Sequence, residues 1–142
     1  MKNNINAAIT AAETKNFAAL NIFEQNNLLT ALNNIKFTAN GTEKTGITDF
    51  GVSNFTEVPT DVFFRSIIFF TAKDTFQLLV SVMNNTPELP NFDDCPDENF
   101  MPTLQKASDY LCAENADNKE FIELFEFACA AFRCNLELNR EQ

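Results

Sequence analysis

Histidine and tryptophan are absent from the 142 residues; glycine occurs three times, tyrosine once and proline five times, against 16 phenylalanines. The lack of histidine removes the commonest catalytic base and metal ligand at neutral pH. So few glycines exclude collagen-like and glycine-rich architectures. No Walker loop, dinucleotide glycine fingerprint or Gly-x-Ser-x-Gly elbow can be written on the chain. Nowhere do eighteen apolar residues follow one another, so no membrane span is expected. The polar start, Met1 to Thr10, holds no apolar signal-peptide core. A cytoplasmic protein with reduced thiols is the expectation. The Asn-x-Thr sequons at Asn40, Asn54 and Asn84 are then chance products of an asparagine-rich sequence.

Bases are scarce as well, ten against twenty acids, for a net charge of −10. Residues 1–60 are nearly balanced, with five acids and four bases. Residues 86–126 carry eleven acids against Lys106 and Lys119, which places −9 of the −10 in 41 residues. Charge gathered in this way repels nucleic acid and anionic lipid and attracts basic partners. Direct nucleic-acid binding is excluded for want of a basic patch to neutralise phosphates.

What is present is a core. Hydrophobic residues make up 45% of the chain, enough at this length for one domain without metal or disulfide staples. Ile5, Ala8, Ile9 and Ala12 share one side of a short helix over about 3–15. Asn21 and Glu24 form a capping box for a second, 22–34, with Leu28, Leu29, Leu32 and Ile35 at core spacing. Asn40-Gly41 is the preferred type I′ hairpin pair, preceded by the alternation Ile35, Phe37, Ala39. Gly46 and Gly51 make any returning strand irregular or bulged.

Residues 62–71 and 76–83 flank Ala72-Lys73-Asp74-Thr75, and their β-branched and aromatic content suits a second hairpin. A helix with Phe76, Leu79, Val80 and Met83 inward is the alternative. Residues 86–100, with Pro87, Pro90 and Pro96 among acids, read as a surface loop. Pro102 suits the first turn of a helix over 102–112, with Leu104, Ala107 and Leu111 inward. Asp117 and Glu120 form a capping pair for the longest amphipathic helix, 117–138, whose stripe is Phe121, Ile122, Phe125, Ala128, Cys129 and Phe132. The fold expected is α+β, one compact domain over residues 1–142, with these four helices around a central β-hairpin or small antiparallel sheet. All-α is the alternative, decided by residues 62–83.

Chemistry-bearing clusters are few. Cys95, Cys112, Cys129 and Cys134 stand 17, 17 and 5 apart with no C-x-x-C knuckle, which argues against structural zinc. Their acidic surroundings argue against a nucleophilic thiolate. Asp93, Asp94, Asp97 and Glu98 lack the spacing, glycine and closing glutamate of a calcium loop. No metal, cofactor or catalytic residue is assigned.

The acidic segment is the remaining candidate. Asp93, Asp94, Asp97, Glu98, Glu114, Asp117, Glu120, Glu123 and Glu126 are expected to line one negative surface. Phe127 lies among them, either as a binding anchor within a charged rim or as a residue covered by another helix. A dense carboxylate surface can occupy a basic nucleic-acid channel by mimicking DNA. In size, charge and lack of catalytic motif the chain resembles the small acidic inhibitors of nucleic-acid-handling proteins. Phage anti-CRISPR and anti-restriction proteins, and immunity proteins against nuclease toxins, belong to that category. The resemblance implies a non-catalytic protein-binding inhibitor; a self-associating structural or adaptor protein is the alternative.

Overall fold

The computed structural model describes residues 2–50 and 58–140, with side chains from Ile5 onward. Gly51 and the sequon at Asn54 lie outside the described residues. Among the described residues, five helices and one antiparallel pair of strands give an α+β architecture: α1 (Lys2–Thr14), α2 (Ile22–Asn34), β1 (Lys36–Ala39), β2 (Thr42–Thr45), α3 (Thr60–Asn84), α4 (Asp97–Glu114) and α5 (Lys119–Arg140). A single 3-10 turn, Phe92–Asp94, precedes α4.

Helix α5 is the axis of the fold, packed along α3 and along α1. Its buried residues, including Phe121, Leu124, Phe125, Ala128 and Ala131, fill the seams with both. Lys15, just past α1, closes one end through an ion pair with Glu137 at 2.9 Å. Helix α4 lies against α3, and β1 lies against α4.

Residues 62–83 are helix throughout, not a hairpin. Their buried positions, Phe63, Phe64, Ile67, Ile68, Thr71, Ala72, Thr75, Leu79, Val82 and Met83, recur with the 3.6-residue period of a helix. Strand propensity is a weak preference beside the burial that this face gains against α5 and α4. α3 is long and apolar enough to cross a membrane; in this fold, those ten residues are buried within the chain itself.

The hairpin is the earlier one. Asn40 and Gly41 both take positive φ, 52° and 81°, as a type I′ turn requires. The return strand is regular rather than bulged, pairing Lys36 with Thr45 through to Ala39 with Thr42. Gly46 acts only after the last pair. Its N–H donates to Ile35 O at 2.7 Å, its φ is +86°, and a Cβ there would stand 2.6 Å from Asn33 O. Only glycine allows the chain to leave the hairpin at this point.

Helix α2 starts where its sequence indicates, with Asn21 Oδ1 accepting the Glu24 N–H and Glu24 Oε1 accepting the Asn21 N–H, each at 2.9 Å. α4 starts five residues before Pro102, at Asp97, and takes the last acids of the expected loop into its first turn. Pro102 sits on the exposed side, so the bond it cannot make to the Glu98 carbonyl is left facing water. α5 is capped by Asn118, whose Oδ1 accepts the Phe121 N–H at 3.2 Å, and not by Asp117 and Glu120.

Candidate functional site: the acidic surface on and around α4

Four phenylalanines position the N-terminal part of the acidic segment. Phe76 of α3 meets Phe92 at 5.7 Å, Phe100 at 5.8 Å and Phe132 of α5 at 6.3 Å between ring centroids. Phe92 meets Phe100 at 5.5 Å. The two rings that bracket the acidic turn are thus anchored on Phe76 of α3, which itself stacks on Phe132 of α5. The Phe92 N–H adds a bond to Asn84 Oδ1 at 2.8 Å. Asp93, Asp94, Asp97 and Glu98, lying between the anchors, are all exposed. Asp97 and Glu98 stand in the first turn of α4, where the helix dipole favours negative charge.

The C-terminal end of α4 uses its polar groups differently. The Glu114 carboxylate accepts the N–H groups of Asn40 at 2.8 Å and Gly41 at 2.7 Å, across the hairpin turn. Asn115, 5% exposed, pairs with both backbone groups of Thr38: its Oδ1 accepts the N–H at 2.8 Å and its Nδ2 donates to the carbonyl at 2.7 Å. Asn118 Nδ2 donates to Lys36 O at 2.7 Å. Glu114 is therefore a fastening for the hairpin.

The expected single surface is two groups of carboxylates. At 1.5 Å rise per residue, Asp97 and Glu114 lie about 25 Å apart along α4. Between them the exposed side of the helix carries Gln105, Lys106 and Asp109. Asp117 and Glu120 join the C-terminal group, exposed; Glu126 is exposed on α5 and Glu123 half-buried.

Phe127 is not in this surface. It is fully buried, its ring 6.3 Å from Phe64 of α3, and Cys134 is buried with it. The arc opposite the first apolar stripe is covered as well, because α5 has helices on two sides. The exposed aromatic in acidic surroundings is Tyr110, 42% exposed. It lines two adjoining depressions, of about 470 and 460 Å³, shared with Glu88 and Ala113. Asp109 and Lys106 border the first, Glu114 and Asn40 the second. The signal for Tyr110 was present in the sequence: a lone tyrosine at helical spacing from Lys106 and Ala113 belongs to the polar face.

Among the described residues no three histidines, cysteines or acids converge on a point that could hold a metal ion. Burial pushes the Cys129 thiol up to about 11 and raises that of Cys112, so both are protonated at neutral pH. One carboxylate pair went unnoticed in the sequence. Asp74 of α3 faces Asp49, and burial, then the Asp49 charge, raises its pKa above 3.8. Asp74 also accepts the Asp49 backbone N–H, which ties the segment after the hairpin to α3. The chain matches no protein-family model, and comparison with curated proteins and solved structures finds no similar sequence or fold.

Proposed function

We propose that the protein is a non-catalytic inhibitor that binds a basic, nucleic-acid-handling protein through the acidic surface of α4. The kind of inhibitor is that of anti-CRISPR and anti-restriction proteins, or of immunity proteins against nuclease toxins. The observation that carries the reading is the N-terminal group: Asp93, Asp94, Asp97 and Glu98, exposed and held between two anchored phenylalanines. Rigid presentation lowers the entropy lost on binding. The charge speeds encounter with a basic surface, and Tyr110 offers an aromatic contact at the other end of the helix.

The test is a pull-down from host lysate at low and moderate salt, with the wild type beside a variant in which Asp93, Asp94, Asp97 and Glu98 are all lysine. The expected result is one basic, nucleic-acid-handling protein, retained less at moderate salt, competed off by duplex DNA and lost with the reversed variant. Binding that survives the reversal in a folded variant overturns the reading.

A second reading, self-association, has its own observation. Phe23 is 76% exposed and Phe69 51%, and Ile22, Val58 and Val62 are exposed near the starts of α2 and α3. These two helix starts are joined where Gln25 Nε2 donates to Thr60 O at 2.9 Å. Self-association through these residues predicts a sedimentation coefficient that rises with concentration and barely responds to salt. A monomer at every concentration removes it.

A further inference from the structure

The register of the hairpin gives each backbone group a direction. The Gly46 N–H donates to Ile35 O at 2.7 Å, so Phe37–Lys44 and Ala39–Thr42, in step with it, are the hydrogen-bonded pairs. The N–H and C=O groups of Lys36, Thr38, Glu43 and Thr45 therefore point away from the ladder. On the β1 side, Asn115 holds both groups of Thr38, and Asn118 holds the Lys36 carbonyl. On the β2 side, the outward groups of Glu43 and Thr45 have no partner among the described residues. All four residues of β2 are exposed. We propose that the outer edge of β2 takes an extended segment of another protein as a third strand, with a lysine or arginine of that segment reaching Asp49 and Asp74.

Main-chain bonds to Glu43 and Thr45 supply the binding, and one side chain supplies the selectivity, as strand addition generally does. Lys44 stands opposite Phe37 and so shares its face of the ladder. With Thr45 it borders a depression of about 340 Å³, lined also by Asp49, Asp74, Gln77 and Ser81. A strand laid along β2 runs over this depression. Its residue level with Gly46, just past Thr45, turns to the same face as Lys44 and lies on the Asp49 side. Two carboxylates and one ammonium line the depression. Burial, then the Asp49 charge, raises the Asp74 pKa, and Lys73 only partly offsets them. A base from the partner supplies the missing counter-charge; an acid does not.

A second copy of the chain fits the edge less well. Only outward-pointing residues pair across it, so the antiparallel registers with most overlap set Glu43 against its own counterpart or Lys44 against its own. Like charges directly opposite disfavour both, and neither register brings a base level with Gly46. The edge shares no residue with the group formed by Asp93, Asp94, Asp97 and Glu98, so it stands or falls apart from the inhibitor reading.

The experiment titrates the isotope-labelled full chain with a synthetic peptide, Thr-Val-Thr-Lys-Thr-Val-Thr with blocked ends, and follows amide shifts and hydrogen exchange. The Glu43 and Thr45 amides are expected to shift and to gain protection. Replacing the peptide's lysine with glutamate should weaken binding about tenfold, the worth of one charge-assisted hydrogen bond. Asp49→Asn combined with Asp74→Asn should bring the two peptides to equal affinity. Methylating the peptide nitrogens should abolish the protection on the wild type. Thr45→Pro should do the same, because the N–H it removes points outward and is no part of the ladder with β1. Where Thr45→Pro does not fold, the methylated peptide carries that arm of the test. The assignment is overturned if neither amide shifts, or if the lysine and glutamate peptides bind the wild type alike. Slow exchange at Glu43 and Thr45 in the free chain, which would show the edge already paired, overturns it too. So do shifts at these amides that grow on concentrating the protein alone, which would seat a second copy there.

Discussion

At the C-terminal end of α4, Glu114, Asn115 and Asn118 turn a carboxylate and two amides into the β1–β2 hairpin, with five hydrogen bonds of 2.7–2.8 Å to its backbone. At the N-terminal end, the carboxylates of Asp93, Asp94, Asp97 and Glu98 make no hydrogen bond or ion pair among the described residues. Both ends are acidic and polar, and composition alone does not separate them. The difference lies in whether the chain brings backbone donors within reach. The hairpin turn aims two N–H groups at Glu114, and nothing comparable approaches Asp93 or Asp94. A carboxylate already held by its own fold has less to offer a partner, so the N-terminal group is the better contact surface.

The largest effect expected from this contrast is Asn115→Ala. It removes two bonds to Thr38 and one to Leu111 O at 2.8 Å. At about 1 kcal/mol each, the loss should be about 3 kcal/mol in urea denaturation. Faster hydrogen exchange at the Thr38 amide should accompany it. A loss below about 1 kcal/mol would show that the stack of Phe37 on Phe121, 4.5 Å between centroids, holds the hairpin instead.

The opposite end should respond the other way. Converting Asp93, Asp94 and Asp97 to Asn, and Glu98 to Gln, removes four charges while preserving shape. Lost helix-dipole stabilisation at Asp97 and Glu98 and relieved like-charge repulsion oppose one another, so stability should move by less than about 1 kcal/mol. Partner capture and its salt dependence should fall sharply in the same variant. A stability loss matching that of Asn115→Ala would show that this end, too, serves the fold.

What the sequence made legible follows from distance along the chain. The capping box at Asn21 and Glu24 and the Asn40-Gly41 turn are set within a few residues, and both stand as read. The hairpin fastening was hidden. Asn115 meets Thr38 across 77 positions and Asn118 meets Lys36 across 82, in a chain where asparagine is too common to single out. α3 was ambiguous because apolar residues also stand on its uncovered side, Val62 and Phe69 among them, which blurs the helical period in the sequence, while Phe, Ile and Val favour strands locally. Phe127 was legible only as lying off the main stripe; that the second side is covered depends on elements far away in sequence. Tyr110 was accessible to the same wheel and was masked by the number of acids around it.

Asp74 stands between the two ends of α4 in kind: its carboxylate has a backbone partner, the Asp49 N–H, yet it is drawn partly out of water beside a second negative charge. Burial first, then Asp49, raises its pKa above 3.8, and Lys73 only partly offsets them. The folded state therefore holds the proton more tightly than the unfolded chain does, and in that interval stability falls as pH rises. Above the raised value the charge is a standing cost; below 3.8 both states are protonated and the cost is gone. Asp74→Asn keeps an oxygen for the Asp49 N–H and removes the charge. It should melt higher than the wild type at pH 7, by a margin that shrinks as the pH is lowered and levels off below 3.8. A lower melting temperature at pH 7 would mean that the ionised hydrogen bond outweighs desolvation and repulsion together. Asp74 would then join Glu114 as a carboxylate that the fold requires in its charged form.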